Sequence, residues 1–252
     1  MPRVAREKSN TGIYHVMQRG INHQIIFEDD EDYQTYLDTL KEYQKKSGYI
    51  IYAYCLMSNH LHLLIKEETE DLAIAFRRIG DSYVYWYNWK YGRRGHLFQD
   101  RYKSEVVEND SYFQTVVRYI HQNPLKAGIV QDIADYEWSS HREYMGKPGI
   151  CDTDFAFDMF SAKRTEAVRL FKEFNLAENK DQCLDYNQAI RLNDAEATDF
   201  IKSISSVVSP IEIQGFDKEK RNKIIKACKE KGLSFRQIAR LTGVSFGVIR
   251  SV

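Results

Sequence analysis

His60 and His62 stand one residue apart in Met57-Ser58-Asn59-His60-Leu61-His62-Leu63-Leu64-Ile65, a stretch that reads as a strand. Side chains alternate faces along a strand. The two imidazoles therefore point one way, while Leu61, Leu63 and Ile65 point the other way into a core. Two imidazoles side by side on a rigid sheet make half of a divalent-metal site. Hydrogen-bonded sheet histidines fit the same spacing, and these residues alone leave both readings open. Further along, Ser111 to Asn123 has a helical apolar stripe of Phe113, Val116, Val117 and Ile120. At ~100° per residue Tyr119 lies ~120° from the centre of that stripe. It shares its face with Tyr112, Thr115 and Asn123. An aromatic off the core face, one turn before an amide, is either a packing or surface tyrosine or a reactive phenol.

The elements that must position these groups follow from periodicity and punctuation. Gly12 to Arg19 is β-branched and aromatic and ends at Gly20, which predicts a strand. Asp29-Asp30-Glu31-Asp32 opens a helix on which Tyr33, Tyr36, Leu37, Leu40 and Tyr43 recur, and Ser47-Gly48 stops it. Tyr49 to Met57 and His60 to Lys66 are the next strands, joined at Ser58-Asn59. A helix from Glu70 to Lys90 and a strand from Tyr102 to Glu108 follow. Asn109-Asp110-Ser111 then caps a third helix ending near Asn123-Pro124. The order βαββαβ-α predicts an α+β, ferredoxin-like fold: an antiparallel sheet with helices on one face and the other face open to a ligand.

Composition limits the choices. With 252 residues, 43% hydrophobic and 29% charged, the chain has the make-up of a soluble globular protein. Thirty-six basic and 36 acidic residues cancel, but unevenly. Residues 217–252 carry ten Lys/Arg against three Asp/Glu, behind an acidic stretch from 151 to 216 with seven against twelve. A basic tail module suits nucleic acid, or is a solvated lysine-rich helix. Cys55, Cys151, Cys183 and Cys228 are scattered without a C-x-x-C pair, which argues against a zinc ribbon or a disulfide framework and suits a reducing compartment. No signal peptide or spanning run is visible, so a cytoplasmic protein is expected, without membrane partners. The expected division is a domain over 1–147, a helical linker region over 148–216 and a small module over 217–252.

Six ordered segments carry a resemblance. They are Tyr14-His15-Val16 with Arg19-Gly20, Ile26-Phe27-Glu28-Asp29-Asp30, and Met57-Ser58-Asn59-His60-Leu61-His62. The others are Gly95-His96-Leu97-Phe98-Gln99-Asp100-Arg101-Tyr102-Lys103-Ser104, Arg118-Tyr119-Ile120-His121-Gln122-Asn123-Pro124-Leu125-Lys126-Ala127-Gly128, and Trp138-Ser139-Ser140. Together they resemble the single-tyrosine HUH transposases, specifically the REP-associated tyrosine transposases, over roughly residues 10 to 147. The resemblance implies a nuclease and strand-transfer enzyme acting on single-stranded, REP-type hairpin DNA, in a bacterial cytoplasm at the nucleoid, as monomer or homodimer. It implies that His60, His62 and the Asn123 amide oxygen bind Mg2+ or Mn2+. Relatives with the Tyr-x-x-x-Gln pattern use the glutamine where this chain has the shorter Asn123. Tyr119 is then the nucleophile, leaving a 5′-phosphotyrosine and a free 3′-hydroxyl. No general base is marked in the sequence; His121 faces away from Tyr119 on a helix and reads as a bystander. His15, His23 and His96 read as non-ligands. Arg101 and Lys103 read as phosphate contacts, with Arg93, Arg94 and Arg19 as weaker candidates that serve equally well as loop charges or a structural ion pair. Tyr14, Tyr52, Tyr54, Trp86 and Trp138 read as core.

Gly232 to Arg250 has the form of a helix-turn-helix, with Ser234 and Ser245 as caps and Leu241-Thr242-Gly243-Val244 as the turn. It resembles the double-stranded-DNA-binding element of bacterial regulators and replication initiators. Arg236 and Arg240 are its candidate DNA contacts, and only a short second helix precedes Val252. The alternative function is a non-catalytic DNA-binding regulator that works through this module. An RRM-like binder of single strands would instead carry aromatics where His60 and His62 stand.

Overall fold

In the computed structural model residues 6–185, 194–231, 233 and 235–252 are described, the side chains of 194–196 and 236 excepted. Four strands form one antiparallel sheet: β1 (Ile13–Arg19), β2 (Ile50–Met57), β3 (His60–Lys66) and β4 (Lys103–Val106), in the order β2-β3-β1-β4. This is the predicted ferredoxin-like arrangement. The fourth strand is shorter than the expected Tyr102 to Glu108, because β4 is an edge strand paired only with Tyr14 to Met17 of β1.

Helices α1 (Asp30–Ser47) and α2 (Leu72–Lys90) occupy one face. There Tyr14 and Val16 of β1 and Leu61, Leu63 and Ile65 of β3 join Tyr36, Leu40, Phe76, Ile79 and Tyr83. The start of α1 is set by a capping box in which Asp29 accepts the Asp32 N–H and Asp32 caps in return. Its end is set by Gly48 at φ 72°, the left-handed conformation glycine adopts without strain. Tyr14, Tyr54, Trp86 and Trp138 sit in or against this core, and Tyr52 belongs to the opposite one.

The second face, expected to be open, is covered. α3 (Asp110–Lys126) lies across it and packs Phe113, Val116, Val117, Tyr119 and Ile120 against Ile13, Cys55, Met57 and Leu64. The reason is a β-bulge at Ile51/Ala53 together with Tyr52, Ala53, Cys55 and Met57 of β2 and Leu64 of β3, which leave an apolar patch on that face in need of a cover. Asn109 caps α3 by accepting the Tyr112 N–H. Pro124 lies inside its last turn rather than ending it. The missing N–H costs one bond, and the Ala127 N–H still closes on the Asn123 carbonyl.

After α3, Trp138 to Ser140 pairs with the outer edge of β2 through Leu56 N–H to the Trp138 carbonyl and Ser140 N–H to the Tyr54 carbonyl. Three helices follow: α4 (His141–Tyr144), α5 (Asp154–Asp158) and α6 (Arg164–Leu176). Tyr144, Phe157 and Phe171 close the core beneath α3, with Tyr144 and Phe171 stacked at 4.4 Å. The first compact unit therefore reaches Leu184, not residue 147, and takes in the first half of the stretch expected to be a linker. A second compact unit begins at Asp185. It holds α7 (Asp194–Ser205), a 3-10 turn (Pro210–Gly215), α8 (Lys218–Glu230), α9 (Phe235–Thr242) and α10 (Phe246–Ser251) around Ile201, Ile213, Ile225, Ile238 and Ile249. Gly243 makes the tight turn between α9 and α10 at φ 70°, where a Cβ would lie 2.7 Å from Ile211 Cδ1.

Candidate active site

β3 carries His60 opposite Met57 of β2 and Arg19 of β1, and His62 opposite Cys55 and Met17. Both imidazoles point to the α3 face. His60 is half-buried, with Nδ1 2.7 Å from Asn59 Oδ1. His62 is fully buried; its Nδ1 lies 3.0 Å from His15 Nε2, while its own Nε2 is buried with no hydrogen-bond partner. The two rings stand edge to face, with centroids 5.3 Å apart.

α3 brings Tyr119 onto His62 and His15. Its ring lies 5.7 Å from that of His62 and 5.9 Å from that of His15, edge-on in both cases. Tyr119 is only 7% exposed, although its helical angle placed it off the apolar stripe. The flank of that stripe meets the histidines rather than solvent. Asn123, one turn on, is half-buried, and its Nδ2 is buried without a hydrogen-bond partner. The two ends of an amide exchange by a 180° turn at no cost in shape, so oxygen can be presented at the same place.

Burial dictates the charge state of the cluster. His62 is held neutral well below the ordinary imidazole range, by loss of water first and by His15 and His60 next. His15, wholly buried, is pushed down to about 3 by the same loss of solvation. A neutral imidazole is the form that binds metals. Among the described residues no cluster of three His, Cys, Asp or Glu is set for a metal ion. His60 and His62 stand side by side, and the buried His62 Nε2 and Asn123 Nδ2 each lack a hydrogen-bond partner; two imidazoles and, once turned, an amide oxygen are donors of the kind a divalent cation takes.

Two cations join the site. Lys103 is opposite Met17, which is opposite His62, so the register sets Lys103 in one row with His62 on the same face. Lys126 Nζ stands 5.2 Å over the Tyr119 ring and bonds Asn179 Oδ1 at 3.0 Å. Sequence reasoning missed Lys126 and set His15 aside. Lys126 lies seven residues after Tyr119, on the same side of the helix two turns on, which is the signal that was available.

The remaining candidates divide. Arg101 is exposed and, with Arg6 and Arg77, lines a cleft of about 760 Å³ between α2 and the segment 96–102. Gln18, at the wall of that cleft, is buried with an unpartnered Oε1, and Tyr85 on its rim is 78% exposed. Arg19 Nε donates to Gln99 Oε1 at 2.6 Å. Arg93 is half-buried; it donates to Gln24 and lies over the Tyr87 ring, a bracing position in the loop. Arg94 is exposed. Arg240 is exposed on α9, whereas the side chain of Arg236, and Gly232 and Ser234, lie outside the described residues. His23 is an exposed turn residue and His96 an exposed residue of the cleft. His121 is fully buried away from Tyr119, with Nε2 2.8 Å from Ser140 Oγ and Nδ1 3.1 Å from Asn175 Oδ1. It ties α3 to α6 and to Ser140, whose N–H bonds the Tyr54 carbonyl of β2.

Comparison with known proteins adds the following. The family model described as "Transposase IS200 like" matches residues 8–123. A REP-associated tyrosine transposase of Escherichia coli (strain K12) is 23% identical over 159 residues, which is 62% of this chain and 91% of that protein. The solved structure of a REP-associated tyrosine transposase bound to a REP hairpin superposes with a TM-score of 0.51 at 18% identity, over 61% of this chain and 90% of that one. At that identity the likeness is one of fold.

Proposed function

We propose, on the match of residues 8–123 to the family model described as "Transposase IS200 like", that this chain is a transposase of that kind and that it cleaves and rejoins single-stranded DNA at REP-type hairpins through a 5′-phosphotyrosine on Tyr119. The observation that carries the reading is the meeting, on one face of the sheet, of a buried tyrosine with two histidines, one of which has an orphaned ring nitrogen.

In this reading His60, His62 and the Asn123 amide hold Mg2+ or Mn2+, which when bound supplies Lewis-acid polarisation of the scissile phosphate. The chain's own groups do the rest. Tyr119, fixed by α3 against the imidazoles, attacks phosphorus, and the leaving 3′-oxygen departs as a hydroxyl once protonated. Lys126 over the ring favours the phenolate, and Lys103 on the same face offers its charge to the phosphate. The bond formed conserves the energy of the phosphodiester, so a free 3′-end can reverse the step without ATP. Arg77, Arg101 and the exposed Tyr85 along the neighbouring cleft suit the backbone and an unstacked base of the bound strand. The helix-turn-helix segment would add a double-stranded-DNA contact through Arg236 and Arg240.

The test offers REP-type hairpin single-stranded DNA with Mn2+ or Mg2+ and looks for a covalent protein–DNA adduct on denaturing gels. Wild type forms it and Tyr119→Phe does not. His62→Ala retains hairpin binding and loses cleavage. An adduct with Tyr119→Phe, or none from wild type with either metal, sinks the reading.

A further inference from the structure

Glu105, His15 and His62 form a line across three adjacent strands on the face that α3 covers. Glu105 of β4 stands directly opposite His15 of β1. The direct partner of His15 on β3 is Leu64, so His62 is its diagonal neighbour, within reach of an imidazole. His15 Nε2 lies 3.0 Å from His62 Nδ1. The other nitrogen of His15, Nδ1, is buried without a hydrogen bond and lies 4.0 Å from Glu105 Oε2. That carboxylate oxygen is itself fixed, accepting from the Tyr112 hydroxyl at 2.6 Å and the Leu184 N–H at 3.0 Å.

We infer that Glu105 and His15 are positioning residues that set the tautomer of His62, keeping its Nε2 lone pair bare for the metal; this rests on the reading of His62 as a ligand. A neutral imidazole carries one N–H, and one proton occupies the 3.0 Å contact between the two rings. If His15 supplies it from Nε2, the bare Nδ1 of His15 faces the negative carboxylate, and His62 carries its proton on Nε2, where it can bind nothing. If His62 supplies it from Nδ1, His15 keeps its own proton on Nδ1, directed at Glu105, and His62 Nε2 is a free lone pair. The carboxylate favours the second arrangement, because an N–H dipole points its positive end at the charge and a lone pair does not. A carboxylate–histidine pair behind a metal ligand orients the ligand and raises its basicity. Here the pair reaches the ligand through a second imidazole, and the carboxylate is held by the same helix that carries Tyr119, through Tyr112.

The experiment has two readouts on the full chain. Long-range proton–nitrogen correlation spectra of the metal-free, uniformly 15N-labelled protein report the tautomer of His62 directly. The Nδ1–H form is expected in wild type, and a shift toward the Nε2–H form in Glu105→Leu. Mn2+ titration followed by electron paramagnetic resonance should show about 10- to 100-fold weaker binding in His15→Phe and a smaller loss in Glu105→Leu, with cooperative thermal unfolding retained. A wild-type His62 in the Nε2–H form overturns the proposal, as do variants that bind Mn2+ like wild type. Should wild type bind no Mn2+ at all, the ligand reading fails instead, and the tautomer spectrum still decides whether Glu105 sets it. If His15→Phe does not fold, Glu105→Leu, at the part-exposed edge strand, carries both measurements.

Discussion

His121→Gln should flatten the acid dependence of stability by one proton. His121 is wholly buried and bonded at both nitrogens, and burial, aided by the nearby His141, pushes it down from the ordinary 6.5 to about 3. The unfolded chain takes up a proton at this position as pH falls through ~6.5, whereas the folded chain refuses it until about pH 3. Stability from this group is therefore fully present above ~6.5 and lost progressively below it. At ~1.36 kcal/mol per pH unit, moving from pH 7.5 to 5.0 costs about 2 kcal/mol through His121 alone. His15 and His62 are depressed too and act in the same direction, so wild type loses more than this. Glutamine keeps a donor and an acceptor but does not titrate. Its lost ring packing lowers stability at pH 7.5 by about 2 kcal/mol. Its further loss on going to pH 5.0 is about 2 kcal/mol smaller than that of wild type. Urea unfolding at the two pH values, followed by tryptophan fluorescence, measures this. Trp86, Trp89 and Trp138 all belong to the first compact unit, so the signal reports the unit that holds His121. Equal losses in variant and wild type, within ~0.5 kcal/mol, would refute the assignment of His121 as a buried neutral strut of α3.

Gly20→Ala should cost about 2–4 kcal/mol in a thermal or urea melt, because the new Cβ would sit 2.1 Å from the Gln24 carbonyl in the turn whose N–H bonds the Asn59 carbonyl beside His60; a melt unchanged from wild type contradicts that packing. Arg77→Ala and Arg101→Ala should each weaken hairpin binding and lower the slope of log affinity against log salt by about 1, read by fluorescence anisotropy at several salt concentrations; an unchanged slope takes the cleft out of the DNA path.

Local rules made part of this molecule legible. Period-2 alternation put His60 and His62 on one face and Leu61, Leu63 and Ile65 on the other, and the sheet keeps that division. The acidic start at Asp29 and the Asn109 cap act on their own first turns and located the starts of α1 and α3; helical spacing placed α2 to within two residues. The motif segments carried the family resemblance that the comparisons bear out. Some features depended on non-local pairing, which no window of sequence encodes. The strand register decided that His15 meets His62 and that Glu105 stands behind it, turning a histidine read as a non-ligand into a neighbour of the site. The same packing buried Tyr119 on the flank of α3, because that flank lands on the histidines and not on water. It also moved the end of the first unit to Leu184, since Phe157 and Phe171 find their apolar cover under α3 rather than along their own helices. Residue types and spacing named the candidate groups; their partners and their burial came from which surfaces the folded chain brought together.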